Sequence, residues 1–378
     1  RLLQWRMEGV PIPSPNHFAN LTTFGGGGLT ALSSHVMANS DFYTGAFPAS
    51  FHNALSGVFD ASMRNGSSHS YSHSVQMGLI GIDLASEGPF RHGKRSSYLV
   101  NYRYSTLGVL KSLLPEDADG TSYQDLSFKL HFPIGKKINF NVWGIGLSDR
   151  SGQQASIDTL QWEYEQDRES GSPKQYMAAG GIRFSYFPDH RTRMETSLAL
   201  TGEGLDWQLD RLNPSLLLVP HQQIRQRDIN MIWTSTFRTN VRDLVTLQAG
   251  WTLTGMKYDL FLESYQTDES KPELIIDQDG FSVLGSIYLI TSWHLMDRVM
   301  LQAGLTGQLF TLNDSYALEP RLGIKWQLQR KSSLSFGFGV HSHLEQLRYY
   351  FSRRPNDSTP SNKDLDFSRA RHWVCLLY

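Results

Sequence analysis

Three side chains able to bind a polar or metal-bearing ligand alternate near the end of one extended stretch: His341, His343 and Glu345. Period two puts them on one strand face, opposite Phe336, Phe338 and Val340. Imidazole and carboxylate on one face are the donor types that touch a metal chelate or hydrogen-bond a polar substrate. The same residues also suit a plain polar wall. His69 and His73 share a second strand face among serines. No enzyme signature accompanies either group. GPFRHGK (88–94) has the glycine and lysine spacing of a phosphate loop, but Arg95 stands where Ser or Thr belongs, and strand follows rather than helix. The glycine run 25–28 lacks a dinucleotide-binding continuation. GxSxG, HExxH and paired cysteines are absent, so hydrolase and structural-zinc chemistry have no support. No Ser/His or Asp/His set can be placed for a barrel lipase or protease. The sequence implies no catalytic residue, no cofactor and no resident metal.

The elements that would position the triplet are strands. In 125–132, Leu126, Phe128, Leu130 and Phe132 share one face, and Ser127, Lys129 and His131 share the other. In 98–104, Tyr98, Val100, Tyr102 and Tyr104 oppose Leu99, Asn101 and Arg103. In 244–255, Val245, Leu247, Ala249, Trp251 and Leu253 oppose Thr246, Gln248, Gly250 and Thr252. Such alternation is a strand signal. Fourteen strands are expected, starting near 68, 79, 95, 123, 137, 174, 191, 222, 243, 280, 299, 315, 332 and 365. Two kinds of connection alternate between them. One kind is tight and basic: 91–95, 135–137, 189–191, 240–243, 297–298 and 330–331. The other is mostly long and polar: 105–121, 150–173, 209–221, 264–278 and 348–364, with a short exception at Asn313–Asp314.

A soluble sheet has no reason to keep its tight turns at one end, whereas an outer-membrane barrel has short periplasmic turns and long extracellular loops. Phe90, Phe132, Phe187, Phe237, Trp293 and Trp326 lie within a few residues of the tight turns, where an interfacial aromatic girdle belongs. Mean hydropathy is −0.35, and no stretch approaches the ~18 apolar residues of a membrane helix. A membrane barrel passes such a test because half of each strand faces a polar interior. The net charge of −1 over 378 residues gives no reason to expect a nucleic-acid partner. The single Cys375 excludes a disulfide framework.

Four segments in order resemble the TonB-dependent outer-membrane receptors, most closely their Bacteroidetes branch. They are WRMEGVPIPSPNHF (5–18), LSSHVMANSDFYTGAFPASFHNALSGVFDASMRNG (32–66), GIDLASEGPF with SYLVNYRYSTLG (81–90 and 97–108), and EPRLGIKW (319–326). The resemblance implies an all-β chain: an incomplete transmembrane antiparallel barrel of about 14 of the family's roughly 22 strands, with the C-terminal half of a plug domain. Residues 1–66 would be the plug portion and 67–378 the N-terminal part of the barrel. It implies energised uptake of a scarce or bulky nutrient across the outer membrane of a Gram-negative bacterium, not enzymatic turnover. The implied partners are outer-membrane lipid, the TonB complex through a segment preceding Arg1, the nutrient, and a surface lipoprotein. Departures are visible. Thr44 stands where many relatives carry an arginine that pairs with barrel carboxylates, Phe51-His52 replaces Tyr-Gly, and the last strand is WVCLLY rather than glycine-rich. A fragment of a longer receptor is the expectation. A soluble propeller and a plugless porin are the alternatives. Uneven turn spacing opposes the first and residues 1–66 oppose the second.

Overall fold

A computed structural model describes residues 3–19, 29–78, 81–106, 122–152, 154–242, 244–265, 272–296, 298–330, 332–354 and 359–377. Residues 25–28 and almost all of the expected loop 105–121 lie outside them. Four short strands come first: β1 (Leu3–Met7), β2 (Val10–Ile12), β3 (Asp41–Thr44) and β4 (Gly57–Ala61). They form a sheet in the order β2-β1-β4-β3, with β1 and β4 parallel. The turn Glu8-Gly9 between β1 and β2 has φ of 52° and 82°. Positive φ at both turn residues is the primed two-residue hairpin geometry, and glycine takes the second position without strain.

The remaining strands make one antiparallel meander. In chain order they are β5 (Ser72–Met77), β6 (Gly81–Pro89), β7 (Ser97–Ser105), β8 (Ser122–Ile134), β9 (Ile138–Arg150), the short β10 (Glu169–Gly171), β11 (Lys174–Tyr186) and β12 (Thr192–Leu212). There follow β13 (Leu218–Arg242), β14 (Val245–Tyr265), β15 (Pro272–Met296), β16 (Val299–Phe310), β17 (Ser315–Gln329), β18 (Ser332–His343) and β19 (Ser368–Leu377). From β5 to β19 each pairs with the next in chain order except that β9 pairs with β11, the short β10 pairing only with β12. β5 and β19 are the two edges. All fourteen expected strands are present, and the largest displacement is β15, which begins at Pro272 rather than near 280.

The wall is inside out by the standard of a soluble sheet. Leu126 is 44% exposed, while Asp125, Ser127 and Lys129 beside it are buried. Leu200, Trp251, Leu253, Ile287, Leu305 and Leu309 also face outward, and Thr252, Ser286, Thr306 and Gln308 lie on the buried face. Phe90 stacks on Phe132 at 5.3 Å beside two tight turns. Among the described residues the apolar face therefore has no protein partner, and the polar face turns toward the β1–β4 sheet and its connecting segments. Among the described residues no helix is long and apolar enough to cross a membrane, which says nothing about crossing by strands.

Two expected long loops are mostly strand. β12 runs to Leu212 and β13 starts at Leu218, so the connection is 213–217 rather than 209–221. β14 likewise reaches Tyr265 and β15 resumes at Pro272. With 25 residues each, β13 and β15 far exceed the roughly 9–11 that span a bilayer. Polarity on both faces, as in Gln222, Gln223, Arg225 and Gln226, resembles loop composition. A ladder that continues into water on both sides has the same composition, because its backbone stays paired whatever the side chains meet.

Candidate ligand cavity and its inner closure

The segment 3–66 is fastened to the polar face of the wall at several points. The Glu8 carboxylate, almost wholly buried, accepts from Lys129 Nζ at 2.8 Å, from Arg183 Nη1 at 3.2 Å and from the Met63 amide at 2.8 Å. Lys129 Nζ also donates to the Met63 carbonyl at 2.7 Å. The positive-φ turn that presents Glu8 and the strand face that presents Lys129 thus meet at one buried ion cluster. His17 lies between two fully buried carboxylates, 3.0 Å from Asp125 and 3.3 Å from Asp149. Burial alone would lower the His17 pKa, but these two carboxylates outweigh it and raise it. Arg64 pairs with Glu87 at 2.6 Å where the segment enters the wall.

The closing stretch 45–53 is held differently. Arg321 on β17 donates to the Phe47 and Pro48 carbonyls at 3.0 and 2.5 Å, and its guanidinium lies over the Phe47 ring. Arg321 also pairs with Glu319, which accepts from Gln308 and Ser342. Thr306 donates to the Ala49 carbonyl at 2.6 Å. A β-carbon added at Gly304 would stand 2.7 Å from that of Ala49, and one at Gly337 2.9 Å from that of Ala46. These two glycines let the stretch lie flat on the wall. Arg321 and Glu319 are the anchoring residues that the sequence reading left without a role. Their signal was present in EPRLGIKW, where two opposite charges occupy the polar face of an alternating strand.

The structure separates the three residues of the strand-end triplet. His341 is fully buried, 4.1 Å from the Phe47 ring and 4.4 Å from that of His372. His343 meets the Asn53 carbonyl at 3.1 Å. Glu345, just past β18, accepts from Ser368 Oγ at 2.5 Å. His343 and Glu345 line a cavity of about 520 Å³, and His341 does not. His69 and His73 lie at the exposed β5 side, where His73 meets Ser86. No group of three or more metal-ligating side chains occurs among the described residues.

That cavity lies between the inner segment, contributed by Gln4, Trp5 and His52, and the wall, contributed by Thr201, Glu203 and Asp228. Its volume suits a small ligand, for which about 300–1,000 Å³ is usual. Its floor is the β1–β2 sheet, so a bound molecule would rest on the element anchored through Glu8. The connection after β18 closes one side. There α1 (Leu347–Tyr350) and Phe351 turn inward against Tyr258, Leu284 and Phe310. Tyr350 is fully buried in this cluster, and burial with the Glu345 charge nearby pushes its hydroxyl up to about 12. It packs; it does not reach into the cavity, unlike Arg348 from the same turn.

No family model matches the sequence and no curated protein matches it. Solved structures do. The siderophore receptor PirA from Acinetobacter baumannii superposes with a TM-score of 0.65 at 12% identity, over 100% of this chain and 60% of that one. FpvA of P. aeruginosa, solved bound to heterologous pyoverdines, gives 0.73 at 13% identity, over 99% and 54%. The FrpB iron transporter from Neisseria meningitidis gives 0.64 at 10% identity, over 91% and 57%. The fold is that of the TonB-dependent receptor barrels. The chain spans about three-fifths of the length of these structures or a little less.

Proposed function

We propose that the protein belongs to a TonB-dependent receptor of the outer membrane, taking up a scarce or bulky nutrient through a gated barrel. One observation carries the reading: an apolar wall face that meets no protein among the described residues, backed by a polar face that is filled by a small anchored sheet. Outward apolar residues need lipid, and a wide polar lumen needs a plug if the membrane is not to leak. On this reading residues 1–66 are plug and 67–378 barrel wall. The tight turns face the periplasm, and cargo sits in the cavity beside His343 and Glu345. His341 supports that site from behind, through Phe47. The TonB complex supplies force to the plug, and the four sequence segments favour the Bacteroidetes branch, with a surface lipoprotein as partner. Similar structures named as siderophore receptors and an iron transporter support uptake without fixing the cargo.

The test uses the natural full-length gene product. Cysteines introduced at Gly135 and Gly171 should label differently in intact cells, the second alone being accessible from outside. Labelling at 135 with protection at 171, or recovery of the protein in the soluble fraction, would overturn the reading.

A further inference from the structure

Among the described residues lining the cavity, three of the four unsatisfied polar atoms are oxygens on Gln4, Thr201 and Asp228, the fourth being His52 Nδ1, and the oxygens describe what it holds. Resting on the uptake reading above, we infer that the cavity receives a cationic, donor-rich group of the cargo, an ammonium or guanidinium, between Asp228 and Glu203 with Thr201 and Gln4 completing the shell.

Four observations meet here. Glu203 on β12 and Asp228 on β13 are direct cross-strand partners, and both line the cavity. Asp228 accepts from Gln226 at 2.5 Å through Oδ2, while its buried Oδ1 has no partner among the described residues. Thr201, two residues before Glu203 on the same face, is 3% exposed, and its Oγ1 is likewise unpartnered. Gln4 is buried on the opposite side. Its amide donates to the His52 carbonyl at 2.7 Å, which fixes its orientation and leaves Oε1 without a donor.

Each of these atoms can accept a hydrogen bond, and an ammonium or guanidinium offers donors only. Buried acceptors left unmade are costly, so a ligand that supplies donors gains on several bonds at once. The charges agree. The lining holds the carboxylates of Glu203, Asp228 and Glu345 against the single guanidinium of Arg348. His52 adds no charge, because burial and the nearby Arg6 and Arg321 hold it down at about 3. An anionic chelate would meet net negative charge with one cation to receive it.

The full-length receptor in detergent is titrated with spermidine, with the amidated tripeptide Lys-Gly-Lys, and with ferric citrate, followed by fluorescence of Trp5, which lines the cavity. At least one cationic probe should bind and the anionic chelate should not. Asp228→Asn and Glu203→Gln, which keep shape, should each weaken binding by at least about tenfold. Thr201→Val should weaken it less. The two probes separate a polyamine from a basic peptide as the source of the cation. Absence of binding by both cationic probes, tighter binding of ferric citrate, or unchanged affinity in the isosteric variants overturns the inference. Membrane fractionation and cysteine labelling of the same protein report separately on uptake, so a receptor correctly placed in the outer membrane that ignores cations rejects this inference alone.

Discussion

Two regions hold the inner segment by different chemistry. Along β8, β9 and β11 the contacts are charge to charge: Glu8 with Lys129 and Arg183, and His17 with Asp125 and Asp149. Along β16 to β18 the wall grips backbone carbonyls and packs flat: Arg321 on Phe47 and Pro48, Thr306 on Ala49, His343 on Asn53. Removing one partner from the first region strands a buried charge. Removing Thr306 or His343 from the second strands only a carbonyl, although removing Arg321 would also leave the buried Glu319 carboxylate without its cation. The difference teaches where the closure is rigid and where it is yielding.

The sharpest way to break that comparison is Glu8→Ala. It leaves the buried Lys129 without its carboxylate while Arg183 keeps Glu195, and the full-length protein should lose about 3–5 kcal/mol in denaturant unfolding from detergent. A loss below about 1 kcal/mol would mean that Lys129 re-pairs and that the first region is no more rigid than the second.

Leu200→Arg comes next, because the whole comparison presumes a lipid-facing outer side. Leu200 is 61% exposed on the outward face of β12. If it lies near the bilayer midplane, arginine there should cost about 2–4 kcal/mol in a folding titration into lipid. Gln248→Arg, on the opposite face, should cost much less. Equal penalties would erase the distinction between the faces.

Gly304→Val tests the yielding region. Its β-carbon would stand 2.7 Å from that of Ala49, so the closing stretch must lift. A cost of about 1–3 kcal/mol is expected, with proteolysis near Ala49 as the local readout. An unchanged cleavage pattern would show that the stretch does not depend on close approach.

The smallest effect is one of pH. The folded pKa of His17 is raised above its ordinary value, with Asp125 and Asp149 outweighing burial. Protonated His17 therefore stabilises the folded form. That contribution is complete below the ordinary value near 6.5 and fades as pH rises through the folded value. Unfolding free energy should fall across that window in the natural protein and not in His17→Gln. A fall of the same size in both would assign the pH dependence to other groups.

The sequence by itself determined the fourteen wall strands, which residues share a face, and where the tight turns fall, but not the short β10 or the strands β1–β4. Period-two alternation and turn chemistry are local, so DLSFKLHF declares its faces without reference to any distant residue. It also placed His341, His343 and Glu345 on one strand-end face. Strand ends at β12 to β15 were less legible, since a paired ladder in water and a loop have the same composition. Only the tertiary structure decided which polar residue meets which. Lys129 and His131 share a face, yet Lys129 reaches Glu8 while His131 meets Asn141. The strand-end triplet divides because Phe47, 294 residues before His341, packs against one member and leaves Glu345 at the cavity. The cavity itself joins Gln4, His52, Thr201 and Asp228. No spacing rule links these residues, because the contacts that gather them are made by a segment folding back onto a wall several strands away.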